Sequence, residues 1–454
     1  MTSHAATIAA GIIDLAGSDP ETYTAFDEVF AGHRRRGGLF FEQKLDPVSL
    51  RPLPLSSPDD RLIREAAAGV LALLEKAAVL YRSEQFVRDF FPAYAAAERW
   101  LLADPGLGRA AGICRLDGVF ADGRFRIMEA STGGPGGVIK VGAELRLWQQ
   151  AVAEILGAPA PDFGDQPFGA DPMMFVRHLI AQHEEQYGER PEGAAVVGLA
   201  NEFANEVALI VGGLTELGVP AREVDARSLR RTGSRGLLAD ELRISLTFNK
   251  LDQVRLINDP EAAHYLDAMA AGEFSMAPTL LAHCVLDDKS LLAFLTDPEH
   301  AGFFTSDELA TIERHIPWTR VVRPGRTTDP DGKAIELLEY AAACQDRLVL
   351  KPNDRTRGEG LLIGPETAPS QWLDAVGSAA GRGNAVVQEY LPLPEVDVPF
   401  GDSPSVKRMK HGLDVFLFGG EFAGYMCRAS VDTVINVGKR GVMLPVIAER
   451  PATA

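Results

Sequence analysis

The stretch Leu348-Val-Leu-Lys351-Pro-Asn-Asp-Arg-Thr-Arg-Gly358-Glu-Gly360-Leu-Leu-Ile-Gly364 constrains what this chain can fold into more than any other. An apolar run delivers one lysine to its end, a polar turn with two glycines follows, and a second apolar run returns, which predicts strand, loop and strand. Glycine lets backbone N–H groups turn toward an anion, and Lys351, Arg355 and Arg357 bring formal positive charge to the same place. Two structures fit the pattern: a loop that folds over phosphates, or an ordinary hairpin with solvated charges at its tip.

A chain of 454 residues is long for one domain, and 46% hydrophobic with 24% charged residues describes a soluble globular protein with a sizeable core. Apolar runs such as Val207-Ala-Leu-Ile-Val-Gly-Gly-Leu214 are too short to cross a bilayer. The first ten residues lack the basic start and long apolar core of a secretory signal, so the expected location is cytoplasmic. A formal net charge of −18 argues against general nucleic-acid or membrane-surface partners, and any anionic ligand must be held by a local basic cluster. Cys114, Cys284, Cys344 and Cys427 show no C-x-x-C spacing, and His178 and His183 miss the spacing that aims two imidazoles at one metal.

Residues 1–105 read as a helical N-terminal region. Ser57-Pro58-Asp59-Asp60 starts a helix whose apolar spacing runs from Leu62 to Leu80, a second helix is expected from Ser83 toward Leu102 with a bend at Pro92, and His33 to Arg36 reads as a solvated turn. Cys114 to Phe120 and Phe125 to Glu129 then read as a hairpin turning at Asp122-Gly123. Alternation puts Arg115 and Asp117 on one face, and Glu129 at the end of the returning strand can converge with Asp117. Two such carboxylates suit Mg²⁺, although a surface hairpin with incidental charges fits the spacing as well. The glycines of Ser131-Thr-Gly-Gly-Pro-Gly-Gly137 precede a helical run from Val141 to Leu156, either as an anion site at a helix start or as a tight connection.

Positions 158–172 read as a linker. Strands at Gly193 to Ala200, Ala221 to Ala226 and Arg243 to Phe248, with a helix from Glu202 to Leu217, predict a small Rossmann-like unit with a parallel sheet and, lacking G-x-G-x-x-G, no dinucleotide cofactor. Helices return from Asp259: Asp287-Asp288 caps one with Lys289 in its first turn, Thr305-Ser-Asp-Glu308 is a capping box, and another runs from Lys333 to Cys344. After the opening motif come a helix from Ser370 to Ala379, a strand through Gln388-Glu389-Tyr390-Leu391, a hairpin from Gly412 to Arg428, and a polar loop from Asn436 to Gly441 before a last strand.

This order of motifs resembles the ATP-grasp superfamily, specifically the circularly permuted branch that includes glutathionylspermidine synthetase-like carboxylate–amine ligases. The resemblance spans roughly Arg115 to Ile447 and is carried by the block from Ile257 through Lys289, Ile316-Pro-Trp-Thr-Arg320, Leu348-Val-Leu-Lys-Pro-Asn-Asp and Val387-Gln-Glu-Tyr to Asn436. It implies a mixed α+β and α/β architecture: a permuted grasp segment at 106–157, a Rossmann-like unit before the grasp at 172–258, and the grasp lobes at 259–448. It also implies ATP and Mg²⁺ as cofactors, with a small-molecule carboxylate and an amine as substrates. Lys289 and Lys351 resemble the phosphate-contacting lysines, Gly358 and Gly360 the lid, Gln388, Glu389, Tyr390 and Leu391 the adenine hinge, and Glu395 a ribose contact. Arg115 resembles the arginine that meets the transferred phosphate, Arg428 a basic residue on the last hairpin, and Asp117 and Glu129 the metal ligands. Where the family has an asparagine as third ligand this chain has Ser131, and Thr132-Gly133-Gly134 departs from the usual Asp-Thr-Pro. A nucleotide-binding protein that has lost ligation and a kinase-like phosphotransferase are the competing expectations. Nothing in the chain sets an oligomeric state.

Overall fold

The structure is a computed structural model that describes residues 4–41, 43–103, 109–157, 166–198, 204–353, 358–400, 405–435, 437 and 440–449. The expectations attached to Glu202, Arg355, Arg357, Asn436 and positions 158–165 lie outside the described residues. Among the described residues no helix is long and apolar enough to cross a membrane.

The N-terminal region is mainly helical. Ser56 caps the helix Ser57–Ser83 by accepting the Asp59 N–H, and Pro58 sits in the first turn, where no donor is needed. Its Ile63, Val70, Leu74 and Ala77 are buried. The second expected helix is broken into Gln85–Phe90, a 3₁₀ turn Pro92–Ala97 and Glu98–Ala103, because Pro92 has no N–H to continue the ladder. The expected turn at His33–Arg36 is instead the last turn of the helix Pro20–Arg36, where the dipole favours cations, and Arg34 is buried and donates to the Asp46 carbonyl.

Strands β1 (Ile113–Ala121) and β2 (Arg124–Ser131) form the expected hairpin. Asp122 and Gly123 both have positive φ, the turn geometry that matches strand twist. After the helix Lys140–Leu156 comes a sheet of β3 (Ala194–Val197), β4 (Ala221–Val224), β5 (Leu246–Asn249) and β6 (Ser275–Ala277), in the order β6-β5-β3-β4 and parallel throughout. Helices Met174–Tyr187 and Ala204–Glu216 pack on it through Phe175, Val176, Val207 and Ile210. The expected strand Arg243–Phe248 divides at Ser245, which donates to the Gly193 carbonyl; Leu242–Ile244 pairs in a separate antiparallel sheet.

A smaller antiparallel sheet follows, built from β7 (Thr319–Val321), β8 (Leu348–Pro352), β9 (Leu362–Ile363) and β10 (Ala385–Glu389), in the order β7-β10-β8-β9. Helices Leu337–Ala343 and Pro369–Arg382 cover it, and Trp318, Leu348, Leu350, Trp372 and Val387 give this lobe a core of its own. The helix expected from Lys333 starts only at Leu337, because Ala334–Glu336 pairs with Arg326–Thr328 as a hairpin.

The last strands, β11 (Glu395–Pro399), β12 (Val406–Phe418), β13 (Glu421–Ser430) and β14 (Gly441–Leu444), return to the first hairpin. Together they make one antiparallel sheet in the order β14-β13-β12-β1-β2, with β11 also on β12. On one face Cys114, Leu116, Leu413, Val415, Cys427 and Ala429 join the core that includes the N-terminal helices. The two-residue period of a strand therefore turns Arg115, Asp117, Asp414 and Arg428 to the opposite face.

Candidate active site

The site lies where the smaller sheet meets β2, the edge strand of the larger one. Asp117 pairs with Glu129, but Gly118 pairs with Ile127, so Met128 is an extra residue in a bulge with no opposite number on β1. Lys351 Nζ, from β8, donates to the Met128 carbonyl at 3.0 Å and to Gln388 Oε1 at 2.7 Å. Gln388 in turn donates to Thr319 Oγ1 at 3.0 Å, so its buried side chain orients the lysine. Burial lowers the Lys351 ammonium to about 8, against the pull of Glu129 and with the help of Lys289.

Lys289 reaches the same strand from another element and pairs with Glu129 at 3.3 Å. Burial acts to lower its pKa, but Glu129, Asp287 and Asp288 outweigh that and raise it. Lys289 occupies the N-cap of the helix Ser290–Thr296 rather than its first turn, and Asp288 caps the helix by accepting the Ser290 N–H at 2.7 Å. A π-helical turn, Ala282–Leu286, precedes this corner; such a turn admits one extra residue and commonly marks a functional site.

Arg126 donates both terminal nitrogens to Glu389, at 3.2 and 2.6 Å, tying β2 to the last residue of β10. The Glu389 N–H donates to the Trp318 carbonyl and the Tyr390 N–H to the Arg347 carbonyl; Leu391 is buried beyond them. Gly358 and Gly360 both have positive φ, and a Cβ at Gly358 would lie 2.6 Å from Val434, so this turn closes against the segment after β13. Glu395 lies apart, exposed on β11 and paired with Arg408 at 3.2 Å.

On the charged face of the large sheet, Asp117 is held by two arginines. Arg115 donates Nε to its Oδ1 at 2.5 Å and Nη2 to its Oδ2 at 2.9 Å, and Arg428 donates Nη2 to the same Oδ2 at 2.8 Å. Burial works to raise this carboxyl, and the two guanidiniums win, holding it below the usual carboxylate range. Arg115 also donates Nη1 to the Gly136 carbonyl, leaving none of its three side-chain nitrogens without an acceptor. Ser131 lies opposite Arg115 on β2.

The glycine loop after β2 is filled by the protein itself. Asp287 Oδ1 accepts the N–H groups of Thr132 and Gly133 at 2.6 and 2.9 Å, and Glu206 Oε1 accepts that of Gly137 at 2.6 Å. Lys250 pairs with Glu206 at 2.9 Å and donates to the carbonyls of Gly134 and Pro135. Of the two expectations for this loop, the tight connection describes it, since internal carboxylates occupy the place of an external anion. A Cβ at Gly134 would come within 2.6 Å of the Asn249 carbonyl at a φ of +87°. Gly134→Ala is expected to destabilise the protein by more than about 2 kcal/mol, read as a lower denaturation midpoint at unchanged m-value.

Asp117 and Glu129 present hard oxygen donors from directly opposite positions. Among the described residues no group of three or more His, Cys, Asp and Glu is gathered for a metal. Each of the two carboxylates already has cationic partners, Arg115 and Arg428 for Asp117 and Lys289 for Glu129, and one or two carboxylates suit Mg²⁺ only where a phosphate ligand supplies further oxygens. Three contributors were not singled out in the sequence: Asp414, Asp287 and Arg126. Asp414 has a signal, being the one charge in the apolar run Leu413-Asp-Val-Phe-Leu-Phe418; Asp287 reads only as a cap, and Arg126 carries no signal.

No family model matches the chain, and no curated protein matches it. Among solved structures it is similar to a protein of Methylobacillus flagellatus KT described provisionally as a gamma-glutamylcysteine synthetase, with 13% identity and a TM-score of 0.43 over 83% of this chain and 86% of that one. It is also similar to D-alanyl-alanine synthetase A of Vibrio cholerae, with 12% identity and a TM-score of 0.26 over 49% of this chain and 67% of the other.

Proposed function

We propose that the chain is an ATP-dependent ligase of the circularly permuted ATP-grasp type, which activates a substrate carboxylate as an acyl phosphate and joins it to an amine. One observation carries this reading: Lys351 and Lys289, from separate elements, converge on the strand that bears Glu129 opposite Asp117 and its arginines. Phosphoryl transfer needs dense positive charge around a triphosphate and little covalent participation by the protein. Here four cations, Lys351, Lys289, Arg115 and Arg428, lie beside the carboxylates Glu129 and Asp117. On this reading 106–157 and 259–448 form the grasp and 172–258 the unit before it.

Lys351 and Lys289 would bind the phosphates, exchanging the Met128 carbonyl and Glu129 for phosphate oxygens. Asp117 and Glu129 would hold Mg²⁺, which would supply charge screening to the triphosphate. The substrate carboxylate oxygen attacks the γ-phosphorus and the bond to the ADP oxygen breaks; the amine nitrogen then attacks the acyl carbon, phosphate leaves and a proton is released. Gly358, against Val434, and Gly360, against Pro352, would help exclude the water that hydrolyses an acyl phosphate. Hydroxylamine supplied with ATP, Mg²⁺ and a library of carboxylic acids should yield a hydroxamate together with ADP. ATP binding with no hydroxamate and no ADP from any acid would favour instead a nucleotide-binding protein without ligation. Ser131 in place of an asparagine and the arginine clamp on Asp117 favour that second reading.

A further inference from the structure

Three carboxylates stand in register across three neighbouring strands: Glu129 on β2, Asp117 on β1 and Asp414 on β12. Asp414 is 1% exposed, and nothing in the sequence patterns above gives it a role. Two carboxylates side by side in a buried sheet repel unless a cation lies between them. Arg428 is that cation. Its Nε donates to Asp414 Oδ2 at 2.7 Å while its Nη2 donates to Asp117 Oδ2 at 2.8 Å.

The two arginines of the cluster are not equivalent. Arg115 spends Nε and Nη2 on Asp117 and Nη1 on the Gly136 carbonyl, and its side chain is 13% exposed. Arg428 spends Nε and one terminal nitrogen, so its Nη1 has no acceptor among the described residues, and its side chain is 24% exposed. A planar guanidinium held at two of its three nitrogens has one orientation left for the third. Asp414 Oδ1 is buried without a partner, so Arg428 is the hydrogen-bond partner of this carboxylate among the described residues.

We infer that Asp414 is a positioning residue that fixes Arg428 with its free edge toward the transferring phosphoryl group, which makes Arg428, and not Arg115, the arginine that meets the phosphate. This inference rests on the ligase reading above. Asp414 touches no reacting atom; it acts through the guanidinium plane. Asp414→Asn keeps the volume and removes the charge that Arg428 Nε follows.

The test is calorimetric binding of ADP with Mg²⁺, alone and with aluminium fluoride, which mimics the phosphoryl group in flight, to the full chain. Wild type should bind the mimic complex more tightly than ADP alone. Asp414→Asn should bind ADP within about twofold of wild type and lose about 10- to 100-fold of the extra tightening, the worth of one charge-assisted hydrogen bond. General damage to the fold would weaken both ligands together. Arg428→Lys keeps the charge but cannot span both carboxylates, and it should show the same selective loss should Asp414→Asn fail to fold. A variant that folds and tightens on aluminium fluoride as wild type does overturns the positioning role alone. Wild type that binds neither ADP nor ATP overturns the ligase reading and the positioning role with it.

Discussion

Lys351→Met is expected to reduce ATP turnover by at least about 100-fold, because it removes a preorganised cation from the place where phosphate charge must be held. Methionine fills the space of the lysine stem, so the fold should survive. The cost to stability is an unpaired Gln388 Oε1, about 1–3 kcal/mol, which a denaturant titration reads directly. Retained wild-type turnover would sink the site. Protonation of the same lysine sets a pH dependence. Burial holds its pKa down to about 8, and only the ammonium form attracts phosphate, so nucleotide affinity of the free protein should be full below pH 8 and decline above it. The stability linkage has the opposite sense. The unfolded lysine, with its ordinary pKa of 10.5, binds more protons than the folded one between about pH 8 and 10.5, so its contribution to stability rises with pH through that window. Isothermal titration of ATP at pH 7 and pH 9, with wild type and Lys351→Met, separates the two, since the variant should lose the pH dependence along with the affinity.

Asp117→Ala is expected to have the largest effect on stability. Two guanidiniums, Arg115 and Arg428, share this one carboxylate, and the side chains are 13%, 24% and 11% exposed for Arg115, Arg428 and Asp117. Removing the anion leaves Arg115 with the Gly136 carbonyl as its acceptor and Arg428 with Asp414, two partly buried cations side by side, and breaking a buried pair in this way costs about 3–5 kcal/mol. A melting midpoint within a degree of wild type would show that the clamp does not hold the sheet. Activity should be lost as well, since Asp117 is also the candidate metal ligand, so the informative comparison is with Asp117→Asn. The amide keeps the shape and can accept one hydrogen bond, and it should restore part of the stability without restoring turnover. Together the two substitutions separate the structural charge pairing from the chemistry.

Much of the architecture was legible. Alternation in Cys114 to Phe120, the Asp122-Gly123 turn, the capping box at Thr305 and the strand–loop–strand around Lys351 all rest on local rules, and local rules survive folding: Thr305 Oγ1 accepts the Glu308 N–H, and the Glu308 carboxylate accepts that of Thr305. The errors fall where distant segments decide. Arg243–Phe248 reads as one strand until Ser245 is claimed by the Gly193 carbonyl, and Lys333 reads as a helix start until Ala334–Glu336 finds a partner strand. The basic run at His33–Arg36 reads as solvated until Asp46 comes back to meet Arg34, which no sequence rule reveals.

The site divides in the same way. Sequence by itself determined which side chains share a face: the two-residue period of β1 sets Arg115 beside Asp117, and the hairpin turn carries Glu129 back to the same end. It also marked Lys351 as a lysine delivered by an apolar strand to a glycine turn. Only the tertiary structure decided what these groups touch. A bulge at Met128 presents its carbonyl to Lys351, a π-helical turn precedes the corner where Lys289 meets Glu129, and a strand from the far end of the chain sets Asp414 next to Asp117. The physical reason is that a strand's faces follow from local backbone geometry, whereas the partner of a buried charge follows from which other charge the fold brings within hydrogen-bonding distance, and no spacing along the chain encodes that.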